Sequence, residues 1–338
     1  MTAFLLAYTV TTFGMTTLFS LGGTVFAMAT LSWLGGTASA RATFLFLRWR
    51  LAGYNSPPDW RAKSEMPMTE TEEVNRMANQ KPLGGKIAIV TGSSRGIGRA
   101  IALRLAGDGA TLVLAARTAE DLSKVAAEIK ALGGAATCVA LDLRDAEAPA
   151  ALVKAAIDAH GAIDIIVNNA GATKRGDFFE LTDADFLDGF ALKFFGAVRL
   201  TRAAWPHLKA RRGSVLSIIG IGGRTPGAEF AIGGSVNGAC LSFVKSLTDI
   251  GIRDGVQVNA INPGRIRTGR FQKMVESQAA RAGISLEEAT QVIIGNASIV
   301  RVGEPEDVAN LAAFVLSPES RFLQGALIDL DGGQTKTV

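Results

Sequence analysis

The 338-residue chain is poor in the side chains that most often announce chemistry: it holds two cysteines, two histidines and two tyrosines. Cys138 and Cys240 cannot build a disulfide framework or fill a four-ligand zinc site unaided. No metal site is expected, and a reducing compartment is the default. Disorder is excluded by a hydrophobic content of 48% against 20% charged residues. The net charge of +4 is concentrated at the front. Residues 1–67 carry Arg41, Arg48, Arg50, Arg61 and Lys63 against Asp59 and Glu65, whereas the remainder has 30 basic and 29 acidic groups. The larger part of the chain has no cationic excess to offer a phosphate backbone, so nucleic-acid binding is not expected.

Charge is absent altogether from the first forty residues. The run Met15–Leu34 reaches the roughly 20 residues needed to cross a bilayer core, and the arginines that follow would hold that end in the cytoplasm. Thr and Gly dilute the run. No positive region precedes it as in a signal peptide, although Ala38-Ser39-Ala40 has the form of a cleavage site. Residues 48–80 read as irregular, with Pro57-Pro58, Pro67 and the acids Glu70, Glu72 and Glu73, and Met68 or Met77 would each start a complete domain. The leader and linker over 1–80 therefore read either as a membrane anchor or as the product of a misassigned start. Under both readings the domain over 81–338 is expected in the cytoplasm, tethered to the membrane only under the first.

From Gly85 onward short β-branched runs alternate with amphipathic stretches. Lys86–Thr91, Thr111–Ala116, Ala136–Leu141, Ile163–Asn168, Ser214–Ile219, Val256–Ile261 and Ala326–Leu330 read as strands. Gly98–Ala106, Ala119–Leu132, Ala146–His160 and Ala184–Ala210 read as helices between them. Continuously apolar strands separated by helices predict a parallel sheet covered on both faces. The expected fold class is α/β, a doubly wound (Rossmann) sheet in a single domain with an apolar N-terminal leader.

The first of these strands runs into Thr91-Gly92-Ser93-Ser94-Arg95-Gly96-Ile97-Gly98 and then a helix. Gly92 permits a sharp turn, Gly96 lets backbone approach a pyrophosphate, and Gly98 lets the helix pack close to the strand. The helix N-terminus then directs unpaired N–H groups at the phosphates. An NAD site usually ends the second strand in an acid that binds the ribose, but here that strand ends Ala115-Ala116-Arg117. Arg95 and Arg117 suit a ribose 2′-phosphate, which favours NADP over NAD; as plain surface arginines they would carry no such meaning.

These residues belong to a wider pattern. Thr91–Gly98, Asp142-Leu143, Asn168-Asn169-Ala170-Gly171, Asn262-Pro263-Gly264 with Ile266 and Thr268, and Asp331-Gly332-Gly333 occur in order over some 250 residues. Together they resemble the short-chain dehydrogenase/reductase family, of the classical type. The resemblance implies an NADP-dependent oxidoreductase that transfers hydride to or from a small organic substrate, working as a homodimer or homotetramer. It further implies cofactor contacts at Gly92, Ser94, Arg95, Gly96, Ile97, Gly98, Arg117, Asp142, Leu143, Asn169, Gly171, Pro263, Gly264, Ile266 and Thr268.

The catalytic positions depart from that family. Its carbonyl chemistry uses an Asn, a Ser, a Tyr and a Lys. Counting back three residues from Gly196 places Lys193 at the Asn position, and counting from the strand Gly213–Ile219 and the helix segment Phe243–Leu247 places Gly220, Gly233 and Asn237 at the Ser, Tyr and Lys positions. The only tyrosines are Tyr8 and Tyr54, outside the domain. Lys193 and Asn237 look reciprocal: the family has Asn early and Lys late, so Lys193 is expected to return an ammonium to the space a lysine at 237 would fill. The bland alternative is a lysine along a helix face with its charge in water. Glu229, Ser235 and admitted water are the other proton donors to consider. Gly220 and Gly233 are expected to enlarge the pocket, and Arg270–Val300 to act as a substrate lid. A catalytically inactive NADP-binding sensor or partner subunit is the alternative function.

Overall fold

The computed structural model describes residues 81–336 throughout and, ahead of them, three strands: β1 (Ala7–Thr11), β2 (Gly14–Leu21) and β3 (Thr24–Ala29). These form an antiparallel sheet in which Ala7 lies opposite Leu18 and Leu21 opposite Thr24. Strands thus replace the membrane-crossing helix expected over Met15–Leu34, and no helix among the described residues is long and apolar enough to cross a membrane. Composition explains the difference. Gly22-Gly23 sits inside the run, where each glycine costs a helix about 1 kcal/mol, and Thr16, Thr17, Thr24, Val25 and Phe26 favour strands. The membrane-spanning leader in the expected fold class and the membrane-anchored placement are corrected accordingly. Ala38-Ser39-Ala40, Tyr54, the whole of the 48–80 linker, Met68 and Met77 lie outside the described residues. The chain divides into two compact units, Met1–Thr69 and Glu70–Val338.

The second unit is built on seven strands: β4 (Ile87–Thr91), β5 (Thr111–Ala116), β6 (Ala136–Ala140), β7 (Ile165–Asn168), β8 (Ser214–Ile218), β9 (Gln257–Pro263) and β10 (Leu327–Leu330). Each ends within two residues of its expected limits. All pair in parallel, in the order β10-β9-β8-β7-β4-β5-β6. The helices are α1 (Gly96–Gly107), α2 (Ala119–Ala131), α3 (Ala148–His160), α4 (Asp183–Gly189), α5 (Gly196–Arg211), α6 (Ala231–Asp254), α7 (Gly269–Ala282), α8 (Leu286–Ala297) and α9 (Pro305–Leu316).

Side chains alternate across each strand, and both faces are apolar. Ala88, Val90, Leu112 and Leu114 pack against Ile101 and Leu105 of α1, Leu122 and Ile129 of α2, and Val308 and Ala312 of α9. Ile89, Val113 and Ile166 face the other way, against Leu152 of α3, Leu200 and Leu208 of α5, and Val236 and Val244 of α6. Burying each of the larger side chains is worth about 1.5–3 kcal/mol, so both layers hold the sheet firmly. Between β4 and β7 the strand order reverses. That reversal opens a crevice at the carboxyl ends of the strands, where α/β proteins of this type bind ligands.

Two features bear on this crevice. The expected helix Ala184–Ala210 is interrupted by a π-helical turn, Phe190–Phe195, between α4 and α5. Such turns insert an extra residue and frequently mark functional sites. Beyond β9, α7 and α8 pack on one another around their own small cluster of Phe271, Val275, Ala279 and Ala289, apart from the two main layers.

Candidate active site

The glycine turn after β4 is held by local contacts that account for its sequence. Gly92 and Gly96 have φ of 65° and 53°, where residues with a Cβ are strained. A Cβ on Gly98 would stand 2.3 Å from the carbonyl oxygen of Gly92. The turn is pinned from β7: Asn169 Nδ2 donates to the carbonyls of Thr91 (2.9 Å) and Gly92 (3.2 Å). Thr91 Oγ1 donates to the Val167 carbonyl (3.1 Å) and accepts from the amides of Asn169 (2.9 Å) and Ala170 (3.0 Å). Thr91 is a participant the sequence reading did not single out. No side chain caps the N-terminus of α1 at Arg95, so its first N–H groups are left facing the crevice. Ser93 Oγ is buried with no partner among the described residues.

The remaining motifs converge on this turn. A Cβ on Gly96 would meet Thr268 Cγ2 at 3.3 Å, which places the loop after β9 across from the glycine turn. Gly264 is pressed against Asp331, whose Cα would lie 2.8 Å from an added Cβ, and its amide donates to the Leu330 carbonyl (3.0 Å). Pro263 ends β9, and Ile266 is buried. Asp142 accepts from the Arg144 amide (3.0 Å) and pairs with the Arg144 guanidinium (3.3 Å), while Leu143 packs on Gly196 at the start of α5. Arg95 and Arg117 are exposed, and neither forms an ion pair among the described residues. Asp188 is held below the usual carboxylate range by its bond to Arg144, with the field of Arg117 adding to it. No group of metal-binding side chains occurs among the described residues.

Lys193 lies within the π turn, and its side chain runs under Gly171. A Cβ on Gly171 would meet Lys193 Cδ at 2.9 Å. Its Nζ donates to Asn237 Oδ1 (2.6 Å) and to the Ile219 carbonyl (2.5 Å). Asn237 is 3% exposed, and its Nδ2 donates in turn to the Gly220 carbonyl (3.4 Å). Burial pushes the Lys193 ammonium down to about 8; Cys240 opposes that shift and the positive charge of Arg270 adds to it. An ammonium has three N–H donors, and the third has no partner among the described residues. The expected Lys193–Asn237 pair is thus in direct contact, which excludes a lysine lying along a helix face in water.

Phe230 corrects the expectation of an enlarged pocket. Its ring lies against Gly233, so an added Cβ there would be only 2.0 Å from Cε2, and it also faces Gly222 at 2.6 Å. The space in front of Gly233 is filled by an aromatic ring from the preceding loop. Gly220 has φ of 123°, a conformation open to glycine, and its added Cβ would lie 3.3 Å from Asn237 Nδ2. Glu229 points away, pairing with Arg281 at 3.7 Å, and Ser235 is exposed.

Three arginines lie near this part of the site, of which the sequence reading named only Arg270, as the first residue of the expected lid. Arg270 Nη2 donates to the Gly171 carbonyl (2.9 Å) directly above the Lys193 stem. Arg175 stacks its guanidinium 4.3 Å from the Phe230 ring centre. Arg265 meets Met274 Sδ at 3.3 Å, and its Nε is buried without a partner. Burial lowers all three from the ordinary arginine range; Arg265 lowers Arg175 further while Glu229 opposes, and Arg175 and Arg95 lower Arg270 further. Arg175 and Arg270 are nevertheless exposed, and Arg265 is half-buried.

Comparison with known proteins agrees with this geometry. The short chain dehydrogenase family model matches residues 86–279. An uncharacterized oxidoreductase of Mycobacterium tuberculosis is 36% identical over 255 residues, covering 75% of this chain and 93% of the relative. Oxidoreductase UcpA of Escherichia coli K12 is 34% identical over 261 residues, covering 75% and 95%. The L-sorbose reductase of Gluconobacter frateurii, solved with NADPH and L-sorbose, superposes with a TM-score of 0.74 at 32% identity, covering 77% of this chain and all of that one. With the family model spanning more than half of the residues and the relatives matched over nearly their full length, the chain belongs to the short-chain dehydrogenase family.

Proposed function

We propose that this oxidoreductase carries out NADPH-dependent hydride transfer at a small organic substrate, with Lys193 and Asn237 replacing the proton-handling groups usual in its family. The fit of a dinucleotide is supported by the uncapped N-terminus of α1, the orphaned Ser93 Oγ, and glycines at 92, 96 and 98 that a Cβ would strain or block. Gly92, Ser94, Gly96, Ile97 and Gly98 would hold the diphosphate. Asn169 would fix the turn, and Asp142 and Leu143 would border the adenine. Gly171, Pro263, Gly264, Ile266 and Thr268 would flank the nicotinamide end. Arg95 and Arg117 would hold the 2′-phosphate, in keeping with the NADPH bound by the sorbose reductase. When bound, NADPH supplies the hydride and leaves the protein to provide position and a proton.

The observation that carries the proposal is the Lys193 ammonium itself. Two of its N–H groups are committed to Asn237 Oδ1 and the Ile219 carbonyl, which fixes its position, and the third is uncommitted. With a pKa drawn down to about 8, it can give a proton near neutral pH and can stabilise negative charge developing on a substrate oxygen. In the reducing direction Lys193 must be protonated, so the rate falls as pH rises through about 8. Asn237 orients the ammonium, and Phe230 closes the face at Gly233 against bulk water. Assembly into homodimers or homotetramers through α5 and α6 belongs to the same proposal; the cleft lined by Val198, Trp205, Phe243 and Leu247 supports it, and light scattering tests it.

The test is a screen of ketones, enones, imines and quinones for NADPH oxidation, with Lys193→Met alongside. Turnover that drops at least 100-fold in the variant while NADPH affinity is retained supports the proposal. A variant as active as the parent refutes the role of Lys193, and NADPH binding without turnover of any class favours the sensor alternative.

A further inference from the structure

Substrate class is the question the site leaves open, and the three unassigned arginines bear on it. Arg175, Arg265 and Arg270 form no ion pair among the described residues, whereas Arg144 pairs with Asp188 and Arg301 with Asp307. Their partners are a phenyl ring, a thioether sulfur and one carbonyl oxygen. The acid whose field reaches Arg175 is Glu229, and its ion pair is with Arg281. Lys193 adds a fourth positive charge beneath Gly171.

Three guanidinium groups that repel one another and lack a counter-charge, one of them with a buried and unsatisfied Nε, are stabilised by an anion that completes them. The coenzyme accounts for only part of this charge. Arg270 adjoins the glycine-turn side of the crevice: the field of Arg95 reaches it, and it touches Gly171. Arg175 lies on the other side, over the Phe230 ring that fills the space before Gly233. Arg265 lies beneath the α7 helix at Met274, with its Nε directed into the interior and unsatisfied. These two are positioned by Phe230 and by α7, which opens the segment expected to act as a substrate lid.

Resting on the hydride-transfer reading above, we propose that the substrate is an anion, a compound bearing a carboxylate or a phosphate monoester near its reacting carbon, gripped by Arg175 and Arg265. Guanidinium groups match both anions in a planar, two-point fashion. The positive cleft also concentrates such a substrate before it docks. Phe230 holds Arg175 in place by stacking, which leaves its N–H edge open to the ligand. A neutral polyol or ketone would leave both guanidinium groups without a counter-charge.

The experiment uses the full chain saturated with NADP+ and a panel of oxo acids of graded length, each paired with its methyl ester, followed by calorimetry. Turnover with NADPH is measured on the same pairs. The expected result is at least one acid that binds ten or more times tighter than its ester, with the preference abolished in Arg175→Met and Arg265→Met. In both variants NADPH affinity without substrate should stay within two-fold, and Arg175→Lys should keep part of the preference. Parity of acid and ester throughout the panel overturns the inference, as does a preference that survives in the R175M/R265M double variant. Loss of NADPH affinity in these variants equal to the loss of acid affinity also overturns it, by assigning the arginines to the coenzyme. Failure of the parent protein to bind NADPH refutes the underlying reading instead, and is seen before any acid is added.

Discussion

Replacing Lys193 by methionine tests the site without a known substrate, because the buried ammonium leaves a signature in folding stability. In the unfolded chain the lysine titrates near 10.5, and in the folded protein near 8. Between those values the unfolded state binds the proton and the folded state has released it, so stability rises with pH across that window. At pH 7 both states are charged and the contribution is at its lowest. From pH 7 to pH 10 the lysine should add about 2.5 kcal/mol to the stability of the parent protein, at about 1.36 kcal/mol per pKa unit. Lys193→Met also strips a donor from Asn237 Oδ1 and the Ile219 carbonyl, at a cost of about 1–3 kcal/mol each. That cost is the same at every pH, so it cancels when the parent-minus-variant difference at pH 7 is subtracted from that at pH 10. Urea unfolding at the two pH values supplies the four numbers. The parent is expected to gain about 2.5 kcal/mol relative to the variant. A difference that stays constant to within about 0.5 kcal/mol would mean that Lys193 titrates in water, and the proton-donor argument would fall with it.

Other parts of the site make separate predictions. Gly98→Ala drives a Cβ into the Gly92 carbonyl at 2.3 Å, and should abolish NADPH-dependent fluorescence changes while lowering the melting temperature. Gly233→Ala forces out the Phe230 ring and should cost about 1–3 kcal/mol by denaturant unfolding; the double variant with Phe230→Ala should recover most of that loss, giving a clear coupling energy. Arg95→Met and Arg117→Met should each lower the NADPH-over-NADH affinity ratio about tenfold or more, read by titration, with NADH affinity little changed. The double exchange K193N/N237K should regain part of the activity that Lys193→Met loses, measured as NADPH turnover on any substrate found.

The parallel sheet was legible because its strands are apolar on both faces: Ile89 and Val90 face opposite layers and are equally buried. The glycine turn was legible because each of its glycines answers a steric demand that any other residue violates. Contact between Lys193 and Asn237 could be anticipated from their reciprocal positions, without the π turn that presents the lysine. Phe190–Phe195 reads as ordinary amphipathic helix in sequence, and only the inserted residue reveals the turn. Phe230, Arg175 and Arg265 escaped notice, and Arg270 was marked only as the start of a lid, for a different reason. They sit on loops and on the first turn of α7, where neither periodicity nor a fixed motif marks a side chain that reaches across to another element. The N-terminal run is apolar enough for a spanning helix, yet its Gly22-Gly23 pair and its threonines disfavour one.

The proposed exchange of roles at positions 193 and 237 makes physical sense only as a pair. A lysine at 193 facing any residue unable to accept a hydrogen bond would bury an ammonium with one carbonyl for company, and an uncompensated buried charge is strongly destabilising. An asparagine at 237 without the lysine would leave Oδ1 buried and unpaired, at a further cost. Together each satisfies the other, and the 2.6 Å bond between them fixes the ammonium more firmly than either helix alone would. What such an arrangement keeps is a positive group with one uncommitted donor at the end of the crevice. What it gives up is the phenol. A positive proton donor stabilises an oxyanion by charge as well as by its hydrogen bond, so it demands less of the substrate's own acidity. The same charge, set beside Arg175, Arg265 and Arg270, makes the cleft a poor host for neutral molecules. Under the proposal made above, the absence of tyrosine from residues 81–338 and the three unpaired arginines follow from one electrostatic choice: a site that works with positive charge needs a substrate that brings the negative.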